Sequence, residues 1–215
     1  MSIKNSTRVA AIDYKTASKF LFKYHYLGKK KFRHKYIFGL FDIAELNNPL
    51  IAVIVFHDIS APETVVGAFG NDRKDQAGFL EIGRLAIHPD FNRSNVGSYF
   101  IWACIKIIKN VCNLRAIITY ADSSFHYGAV YQASNFKYYG LTDKKKDFII
   151  NGKTQERGKT KGVDGSWIDR SQKHRYCLIF DESLNINWVE LRYPKNDYFE
   201  YSGKNEDIFL QGLLV

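Results

Sequence analysis

The sequence has few cysteines and no long apolar run, and each shortage excludes a class of protein. Three cysteines in 215 residues are an odd number with no Cys-x-x-Cys pair, so we expect reduced core residues and not a disulfide framework or zinc ribbon. No apolar run approaches the ~18 residues that span a membrane. The N-terminus also has no apolar stretch followed by a small-residue cleavage site. We therefore expect a cytoplasmic protein with no membrane partner.

Acidic residues are also scarce relative to basic ones. The chain has 22 Asp and Glu against 31 Lys and Arg, which gives a formal charge of +9 and a pI near 9.3. This balance favours a polyanionic partner such as nucleic acid or a phosphorylated cofactor, although many basic proteins bind neither. Residues that can form a hydrophobic core are plentiful, with 46% hydrophobic and 15% aromatic residues. The length and composition predict one domain with a substantial core.

The first half of the chain predicts a helix followed by strands. Apolar residues at helical spacing predict an amphipathic helix over residues 13–26. Two β-rich runs, 36–43 and 50–56, flank the turn signal Asn-Asn-Pro and predict an antiparallel hairpin. After a polar loop comes a strand over 79–87, which Gly83 interrupts, and a glycine there indicates a β-bulge or a close approach of the backbone to another group.

The second half alternates helices and strands. It predicts, in order, a helix buried on most faces at 99–111, a strand at 115–121, a helix at 123–135 capped by residue 122, 123 or 124, and strands at 136–140 and 174–180. Residues 143–173 form a charged, Gly-rich excursion with a short hairpin that turns at residues 151–152. The tail, 181–215, has no clear pattern. We predict one α/β domain over residues 1–215, with a core at about 10–180 and a mixed central sheet with flanking helices.

The segment "HPDFNRSNVGSYF" lies between a strand and a long helix, where helix N–H groups can bind phosphate. Arg93 could add charge, and Gly97 would permit a close approach of the backbone. Together with Asn95 and Ser98, these residues are the candidate cofactor-binding set. A plain helix cap by Ser94 or Asn95 is an equally good interpretation.

This order of elements resembles the Gcn5-related acetyltransferase (GNAT) superfamily. In that superfamily the fourth strand splays from the fifth, and the following loop holds the pyrophosphate of acetyl-coenzyme A. The usual loop is Arg or Gln, two residues, Gly, one residue, then Gly or Ala. Here "NRSNVG" has Asn92 at the first position and Asn95 in place of the first glycine. The resemblance implies a GNAT-like fold and leaves acetyl-coenzyme A open as the cofactor.

The segment "ADSSFHYGAVYQASNFKYYG", residues 121–140, places an acid, hydroxyls and a histidine at the end of a predicted strand. Asp122 could act as a base or orienter, and Tyr131 as a proton donor, and we expect both to face one cleft. Helical spacing would put His126 and Tyr131 on different walls. The alternatives are a helix cap for Asp122, packing for Tyr127 and a satisfied core histidine for His126.

The same segment resembles the signature of the Mom family of phage DNA-modification proteins: Ala-Asp, His-x-Gly, a tyrosine, an alanine and then an aromatic-x-Tyr-x-Gly. "EIGRLAIHPDF", "KHRYCLIF" and "RYPK" extend the resemblance over roughly residues 78–195. The resemblance implies a GNAT-like transferase that converts adenine in phage DNA to N6-carbamoylmethyladenine and protects the DNA from host restriction. The protein would then act in the host cytoplasm, on double-stranded DNA with a flipped adenine.

Carried over residue by residue, the resemblance implies the catalytic residues Arg84, Ser98, Asp122, Tyr131 and His25. Asp122 would be the base or orienter, Tyr131 the proton donor and Arg84 an anionic clamp. The residues predicted to contact DNA are Tyr127, Lys173, His174 and Arg175, with Tyr138, Tyr139 and Trp167 as further stacking surfaces. The basic clusters at 28–35, 143–147 and 158–162 could follow the phosphates or be solvated loops.

The product that the resemblance implies raises a chemical difficulty. Acetyl transfer leaves an N-acetyl group, whereas carbamoylmethyl is attached through a saturated carbon and ends in an amide. Some further activation is needed, and a bound metal such as iron is one route, because His and Asp ligands suit it. The metal site is unknown, and the candidates by residue type are His25, His88, Asp122, His126 and His174.

Two other functions fit the composition. One is an ordinary N-acetyltransferase that uses acetyl-coenzyme A on a small amine or a protein terminus, which predicts tight coenzyme A binding and no DNA affinity. The other is a non-catalytic DNA-binding protein on a GNAT scaffold, which predicts salt-sensitive binding without a product. The oligomeric state is open, and a homodimer is one candidate.

Overall fold

The fold is built on a seven-stranded central sheet with a small second sheet beside it. The computed structural model describes residues 3–28, 31–92, 95–151, 153–155 and 164–195. The central strands are β1 (Thr7–Ala11), β2 (Tyr36–Asp42), β3 (Leu50–Asp58), β4 (Phe79–Ile87), β5 (Ala116–Asp122), β6 (Lys137–Leu141) and β10 (Lys173–Ile179), in the order β1-β2-β3-β4-β5-β10-β6. The second sheet contains β7 (Lys145–Ile150), β8 (Lys153–Thr154) and β9 (Ser166–Arg170), in the order β8-β7-β9.

Helices cover both faces of the central sheet. They are α1 (Ile3–Ser6), α2 (Tyr14–Tyr24), α3 (Pro62–Phe69), α4 (Val96–Lys109) and α5 (Ala129–Ala133), with a 3-10 turn at Pro89–Phe91. The largest core cluster packs α4 and α5 against one face, while smaller clusters pack α2 and α3 against the other. The predicted mixed sheet with flanking helices is confirmed. Within the described part of the chain, no helix is long and apolar enough to cross a membrane.

The strands β4 and β5 are parallel and separate partway along their length. Their pairing runs from Phe79↔Ala116 to Ile82↔Thr119, while every other ladder of the central sheet is antiparallel. Beyond Ile82 the two strands diverge, so the rest of β4 borders an opening in the sheet.

A β-bulge starts this divergence, as the sequence predicted. Val55 pairs with Arg84 and Phe56 with Ile82, so Gly83 is the extra residue of β4. A Cβ atom at Gly83 would overlap the imidazole of His57. The glycine is therefore needed for the close packing of β4 on the His57 side chain of β3.

Several predicted elements are confirmed, among them the β2–β3 hairpin and the β7–β8 hairpin, whose turn residue 152 lies outside the described residues. The helix predicted at 123–135 is confirmed only as α5, because residues 123–125 form a turn and α5 begins only after Gly128, whose φ is 84°. The helix α4 is also less buried than predicted, since Trp102 is 40% and Ile107 37% exposed. Strands β1 and β9 and helix α3 were not predicted, because short polar or mixed segments give no clear period.

The C-terminal segment from residue 181 to 195 binds to the core although it has little regular structure. The Asn187 backbone N–H donates to the carbonyl of Ala68, 2.6 Å away. Leu191 forms a β-bridge with Tyr138, and the Tyr193 hydroxyl donates to the carbonyl of Phe136 at 2.9 Å. This described part of the predicted irregular extension therefore holds β6 and the residues that precede it.

Candidate active site

A cleft opens where β4 and β5 diverge, and we call it the splay cleft. Its space, counted out to the open mouth, is about 590 Å³. It is lined by Tyr24, His25, Tyr26, Ile82, Gly83, Arg84, Leu85, Ala86, Ile87, Tyr120, His126, Val130 and Tyr131. Three of the predicted catalytic residues, from three separate parts of the chain, therefore line one cleft: His25, Arg84 and Tyr131.

Arg84 lies directly after the bulge, which turns its side chain toward the cleft. Its Nη1 donates to the carbonyl of Gly83 at 2.6 Å. Burial lowers the pKa of its guanidinium, while the neighbouring Tyr26 and Glu81 oppose that effect. An arginine remains charged at neutral pH in spite of such a shift, so the cleft has a cation at its wall.

Tyr131 lies at the point where the two strands separate. The residue is 5% exposed, and its side chain lies beside Thr119 of β5. Thr119 Oγ1 in turn donates to the carbonyl of Ile82, 3.2 Å away. Burial raises the pKa of Tyr131, so its hydroxyl keeps its proton at neutral pH and can serve as a donor.

His25 follows the last residue of α2 and forms its C-cap. Its backbone N–H donates to the carbonyl of Leu21, and its Nδ1 accepts from the N–H of Leu27 at 3.2 Å. Burial, the Arg84 charge and His126 lower the pKa of His25 to about 3. The ring is therefore neutral at pH 7, with its proton on Nε2.

An aromatic cluster covers the cleft beside His25. Tyr26 stacks on His25 with the ring centres 4.5 Å apart, and it contacts Phe125 at 4.5 Å and His126 at 5.7 Å. Burial lowers the pKa of His126 to about 4 and raises that of Tyr26. His126 and Tyr131 thus line one cleft, although residues 123–128 are not helical.

Asp122 does not line the splay cleft with Tyr131, so the predicted face-to-face arrangement is wrong. Its carboxylate accepts from the Ser124 N–H at 3.1 Å and from the Ser171 hydroxyl at 2.9 Å, and the residue is 8% exposed. Side chains alternate along a strand, and Asp122 ends β5 on the face opposite Ala121. Its charge still raises the pKa of His126, which is consistent with an orienting role.

The predicted phosphate loop has a glycine that the packing of the protein occupies. Asn95 is the N-cap of α4, with φ of 70° and no side-chain cap bond, and the Ser98 hydroxyl donates to its carbonyl at 3.3 Å. A Cβ atom at Gly97 would lie 2.5 Å from Val130 Cγ2, so this glycine is used for packing. Arg93 lies outside the described residues. Ser98 is not among the described residues that line the splay cleft.

The four residues predicted to contact DNA have different surroundings. His174 is 9% exposed and its Nδ1 is 2.9 Å from the Tyr138 hydroxyl. Arg175 packs its guanidinium 4.1 Å from the Trp188 ring centre and donates to the carbonyl of Tyr139. Both are engaged inside the protein, so their predicted direct contact with DNA is not supported by their positions.

The other predicted DNA contacts also divide. The carbonyl of Tyr127 accepts from the Tyr176 hydroxyl. Tyr127 is not among the described residues that line the splay cleft. Tyr138 and Tyr139 are 7% and 5% exposed, which excludes them as stacking surfaces. Trp167 is 57% exposed and packs on Phe148. The basic cluster at 158–162 lies outside the described residues.

The five metal-ligand candidates are not assembled. No group of three or more His, Cys, Asp or Glu side chains within the described ranges could hold a metal ion. His88 Nδ1 accepts from the Asp90 N–H at 3.3 Å and caps the 3-10 turn. His174 Nδ1 is hydrogen-bonded with the Tyr138 hydroxyl. Only His25 and His126 of this set line the splay cleft.

A second, wider cleft lies on the α3 side of the sheet, and we call it the basic cleft. Its space, counted to the mouth, is about 870 Å³. It is lined by Ser60, Ala61, Thr64, Glu81, Tyr120, Thr142, Asp143, Lys145, Arg170, Ser171 and Lys173. Tyr120 lines both clefts, so the two meet at β5. Of the predicted DNA contacts, Lys173 lies here.

Sequence analysis missed three residues near this junction: Tyr26, Glu81 and His57. His57 Nδ1 donates to the carbonyl of Asp58 at 2.7 Å, and its Nε2 lies 3.9 Å from Glu81 Oε1. The signal for Glu81 was an acid at one position of an otherwise apolar strand, beside a bulge glycine. Tyr26 gave no such signal, because an aromatic residue at a helix end is common.

Comparison with known proteins identifies the family. The model of the Mom protein family matches residues 6–198, which is most of the chain. The chain belongs to the Mom family. The match includes the segment 121–140 and the strands on both sides of the splay cleft. A comparison with curated proteins by sequence finds no match.

Solved acetyltransferases have the same fold as this Mom family chain. Arabidopsis thaliana NAA60 in complex with acetyl-CoA is 10% identical, with a TM-score of 0.53 over 80% of this chain and 98% of that one. Drosophila melanogaster polyamine N-acetyltransferase is 12% identical, with a TM-score of 0.50 over 81% of this chain and 100% of that one. The GNAT-like fold expected from the sequence is confirmed.

Proposed function

We propose that this Mom family chain is a DNA-modifying transferase that converts adenine to N6-carbamoylmethyladenine. The observation that supports this most is that Arg84, Tyr131 and His25 line one cleft at the divergence of β4 and β5. Family membership gives the expected substrate, and the cleft provides a cation and two neutral proton donors. Such modification would protect phage DNA from host restriction enzymes.

The splay cleft can stabilise charge on a group that is being transferred. Arg84 can bind an anionic or strongly polar oxygen, because its guanidinium is half-buried and its donors lie in a fixed fork. The Tyr131 hydroxyl and the His25 Nε2–H are protonated, neutral donors at pH 7. Fixed donors of this kind favour a transition state in which negative charge develops on oxygen.

We assign Asp122 the orienting role and not that of the base. Both carboxylate oxygens accept hydrogen bonds, from Ser124 and Ser171. The backbone N–H of His126 also donates to the carbonyl of Asp122 at 3.0 Å. Loss of the carboxylate would therefore release the turn that places His126 and Phe125 against Tyr26.

Acetyl-coenzyme A fits the opening between β4 and β5 better than it fits the loop before α4. The part of β4 from Leu85 to Ile87 has no β5 partner and would border the pantetheine arm, while the start of α4 and Ser98 would hold phosphate. Gly97 leaves no extra room, since Val130 fills it. The bound cofactor would supply an activated thioester, and a bond from N6 to a saturated carbon needs a further activation.

Nucleoside mass spectrometry of plasmid DNA from bacteria that express the chain tests this proposal. We expect a deoxyadenosine that has gained the mass of a carbamoylmethyl group, and at least ~100-fold less of it with Tyr131→Phe. Tyr36→Phe, on the distant strand β2, is the matched control and should keep full activity. Asp122→Ala should also lose most product.

Unmodified DNA from soluble, folded wild-type protein would contradict the proposal. Coenzyme A titration would then separate the two other functions, because an N-acetyltransferase binds coenzyme A and a non-catalytic DNA-binding protein does not. DNA modified at full rate by Tyr131→Phe would instead remove the role of Tyr131.

A further inference from the structure

We propose that the basic cleft is the acceptor site, which takes an extrahelical adenine nucleotide with its flanking phosphates, while the splay cleft takes the donor. This inference rests on the proposed function and adds to it which of the two clefts holds DNA. Neither the sequence motifs nor the family match distinguishes the clefts. The argument depends on the space, the charge and the junction of the two.

The two clefts differ in the space that they offer to a base. The splay cleft is partly filled by the rings of His25, Tyr26 and His126, which contact one another. A planar base could enter only by displacing them. The basic cleft is wider, about 870 Å³ against about 590 Å³ when both are counted to their mouths. It lies between the start of α3 and the small sheet, so a base with its sugar can enter without moving a buried ring.

The second step concerns charge. Lys145 and Arg170, from the small sheet, and Lys173, from β10, supply three cations to the cleft. Among the described residues, the ion pair of Arg170 is a long contact with Asp147, at 3.9 Å, and its side chain is 44% exposed. Such exposed pairs contribute little, so a phosphate can replace the carboxylate. The cleft also has two acids, Glu81 and Asp143, so it is not uniformly attractive to anions.

The helix α3 adds a weaker preference for anions at the same place. Its N-cap is Ala61, which has no side chain that can cap the helix. Ala61 and Thr64 both line the cleft. The positive end of the helix dipole therefore faces the same space as the three cations. This feature supports a phosphate only together with those side chains.

The third step concerns the position of Glu81. It lies on β4 one residue before Ile82, which lines the splay cleft. Its Oε2 accepts from the Ser60 N–H at 3.2 Å, and its side chain is 15% exposed. The exocyclic amine of adenine has two N–H donors, and a carboxylate is an acceptor for them. An adenine bound with its amine toward Glu81 would have its phosphates toward the cations.

The fourth step is the junction between the clefts. Tyr120 lines both, and its side chain lies beside Thr64 of α3. Burial raises the pKa of Tyr120 to about 12, so it stays neutral and can pack against a base. An amine at Glu81 would then approach the donor where Tyr120 separates the two clefts. This arrangement brings the two substrates together from opposite sides.

The test measures the binding of an adenine-containing duplex oligonucleotide by fluorescence anisotropy at several salt concentrations, with the double variant Lys145→Gln, Arg170→Gln. We expect binding about tenfold weaker, and a salt dependence with a slope smaller by about 2, because two phosphate contacts are lost. The matched control is Lys106→Gln, Lys109→Gln, on the exposed side of α4. It removes the same charge on the other face of the sheet and should leave both values unchanged.

A second variant tests the role of the Glu81 carboxylate in the basic cleft. Glu81→Gln keeps the size of the side chain but removes its charge. We expect duplex affinity to stay within about twofold and product at saturating DNA to fall at least ~10-fold. Coenzyme A affinity should be unchanged in Glu81→Gln and in the Lys145, Arg170 double variant.

The outcomes separate this inference from the proposed function. If wild-type protein modifies DNA and the double variant binds the duplex with unchanged affinity and slope, the basic cleft is not the acceptor site and the proposed function stands. If the double variant loses coenzyme A affinity and keeps DNA affinity, the cleft is the donor site and the inference is overturned. If wild-type protein neither binds nor modifies DNA, the proposed function fails and the inference with it.

Discussion

The splay cleft and the basic cleft share Tyr120 but are built in different ways. The splay cleft is formed by β4, β5, α5 and the end of α2, and its titratable groups are buried and mostly neutral. The basic cleft is bordered by a loop, by α3 and by a small sheet, and three of its charged residues, Asp143, Lys145 and Arg170, are exposed. The difference indicates that fixed groups for chemistry come from the core, where packing holds them, while charged groups for an extended substrate come from the periphery.

The largest effect should come from a change of Arg84. This change separates the chemical role of the splay cleft from the binding of DNA by the basic cleft. With Arg84→Gln we expect product formation to fall ~100-fold or more, because a fixed cation at the reacting groups is lost. Duplex affinity should change less than it does in the Lys145, Arg170 double variant. Nucleoside mass spectrometry and fluorescence anisotropy measure the two quantities. Equal losses in both would contradict the division of roles, and Arg84→Lys should recover only part of the activity.

The bulge that opens the splay cleft should be sensitive to a single methyl group. Gly83→Ala should lower the free energy of unfolding by about 1–3 kcal/mol, because the added Cβ overlaps the His57 ring. Gly67→Ala, in α3 beside the basic cleft, is the matched control. Nothing lies within 4 Å of a Cβ there, so alanine should stabilise by up to about 1 kcal/mol. Urea unfolding of both variants checks the difference, and a harmless Gly83→Ala would disprove the packing argument.

The role of Gly97 can be decided by a double-mutant cycle. Gly97→Ala should destabilise by about 1–2 kcal/mol, because its Cβ would lie 2.5 Å from Val130 Cγ2. With Val130→Ala already present, the same change should cost clearly less, since the clashing methyl is gone. Thermal unfolding of the four proteins gives the coupling. Additive effects would instead support the interpretation that Gly97 serves a bound phosphate.

The two histidines of the splay cleft should make the stability of the protein depend on pH. The pKa of His25 falls from 6.5 to about 3 and that of His126 from 6.5 to about 4 on folding. The unfolded chain thus binds more protons between pH 6.5 and pH 4, and stability should fall as the pH falls through this window. His25→Asn should reduce the slope by up to about 1.4 kcal/mol per pH unit.

Urea unfolding at pH 7, 6, 5 and 4 measures this slope. His34→Asn, at an exposed position, is the control and should leave it unchanged. A slope that His25→Asn does not alter would mean that the ring is solvated in the folded protein.

Much of the fold could be predicted from the sequence, and particular residues show where prediction stopped. The two β-rich runs around Asn-Asn-Pro predicted the hairpin, and the glycine in β4 indicated the bulge. The segment from Asp122 to Gly128 was assigned to a helix because its residues fit a helical period. A left-handed Gly128 and the two hydrogen bonds of Asp122 instead make it a turn. No local pattern shows which of these competing hydrogen bonds is made.

The candidate site was predicted in part for the same reason. Arg84, Tyr131 and His25 were named from short motifs, and they do line one cleft. Asp122 was named with them, but strand alternation places it on the other face. His174 and Arg175 were predicted to contact DNA. In the structure His174 contacts the Tyr138 hydroxyl, and the guanidinium of Arg175 packs on the Trp188 ring. The sequence could not indicate these partners, because they lie far away along the chain.

The sequence by itself determined the fold class, the family and the identity of the residues most suited to chemistry, because periodicity and short motifs are local properties. Only the tertiary structure decided that β4 and β5 diverge after Ile82 and that Tyr26 covers His25. It also decided that a second cleft meets the first at Tyr120. These features depend on long-range pairing and side-chain packing, in which each residue's surroundings come from distant parts of the chain.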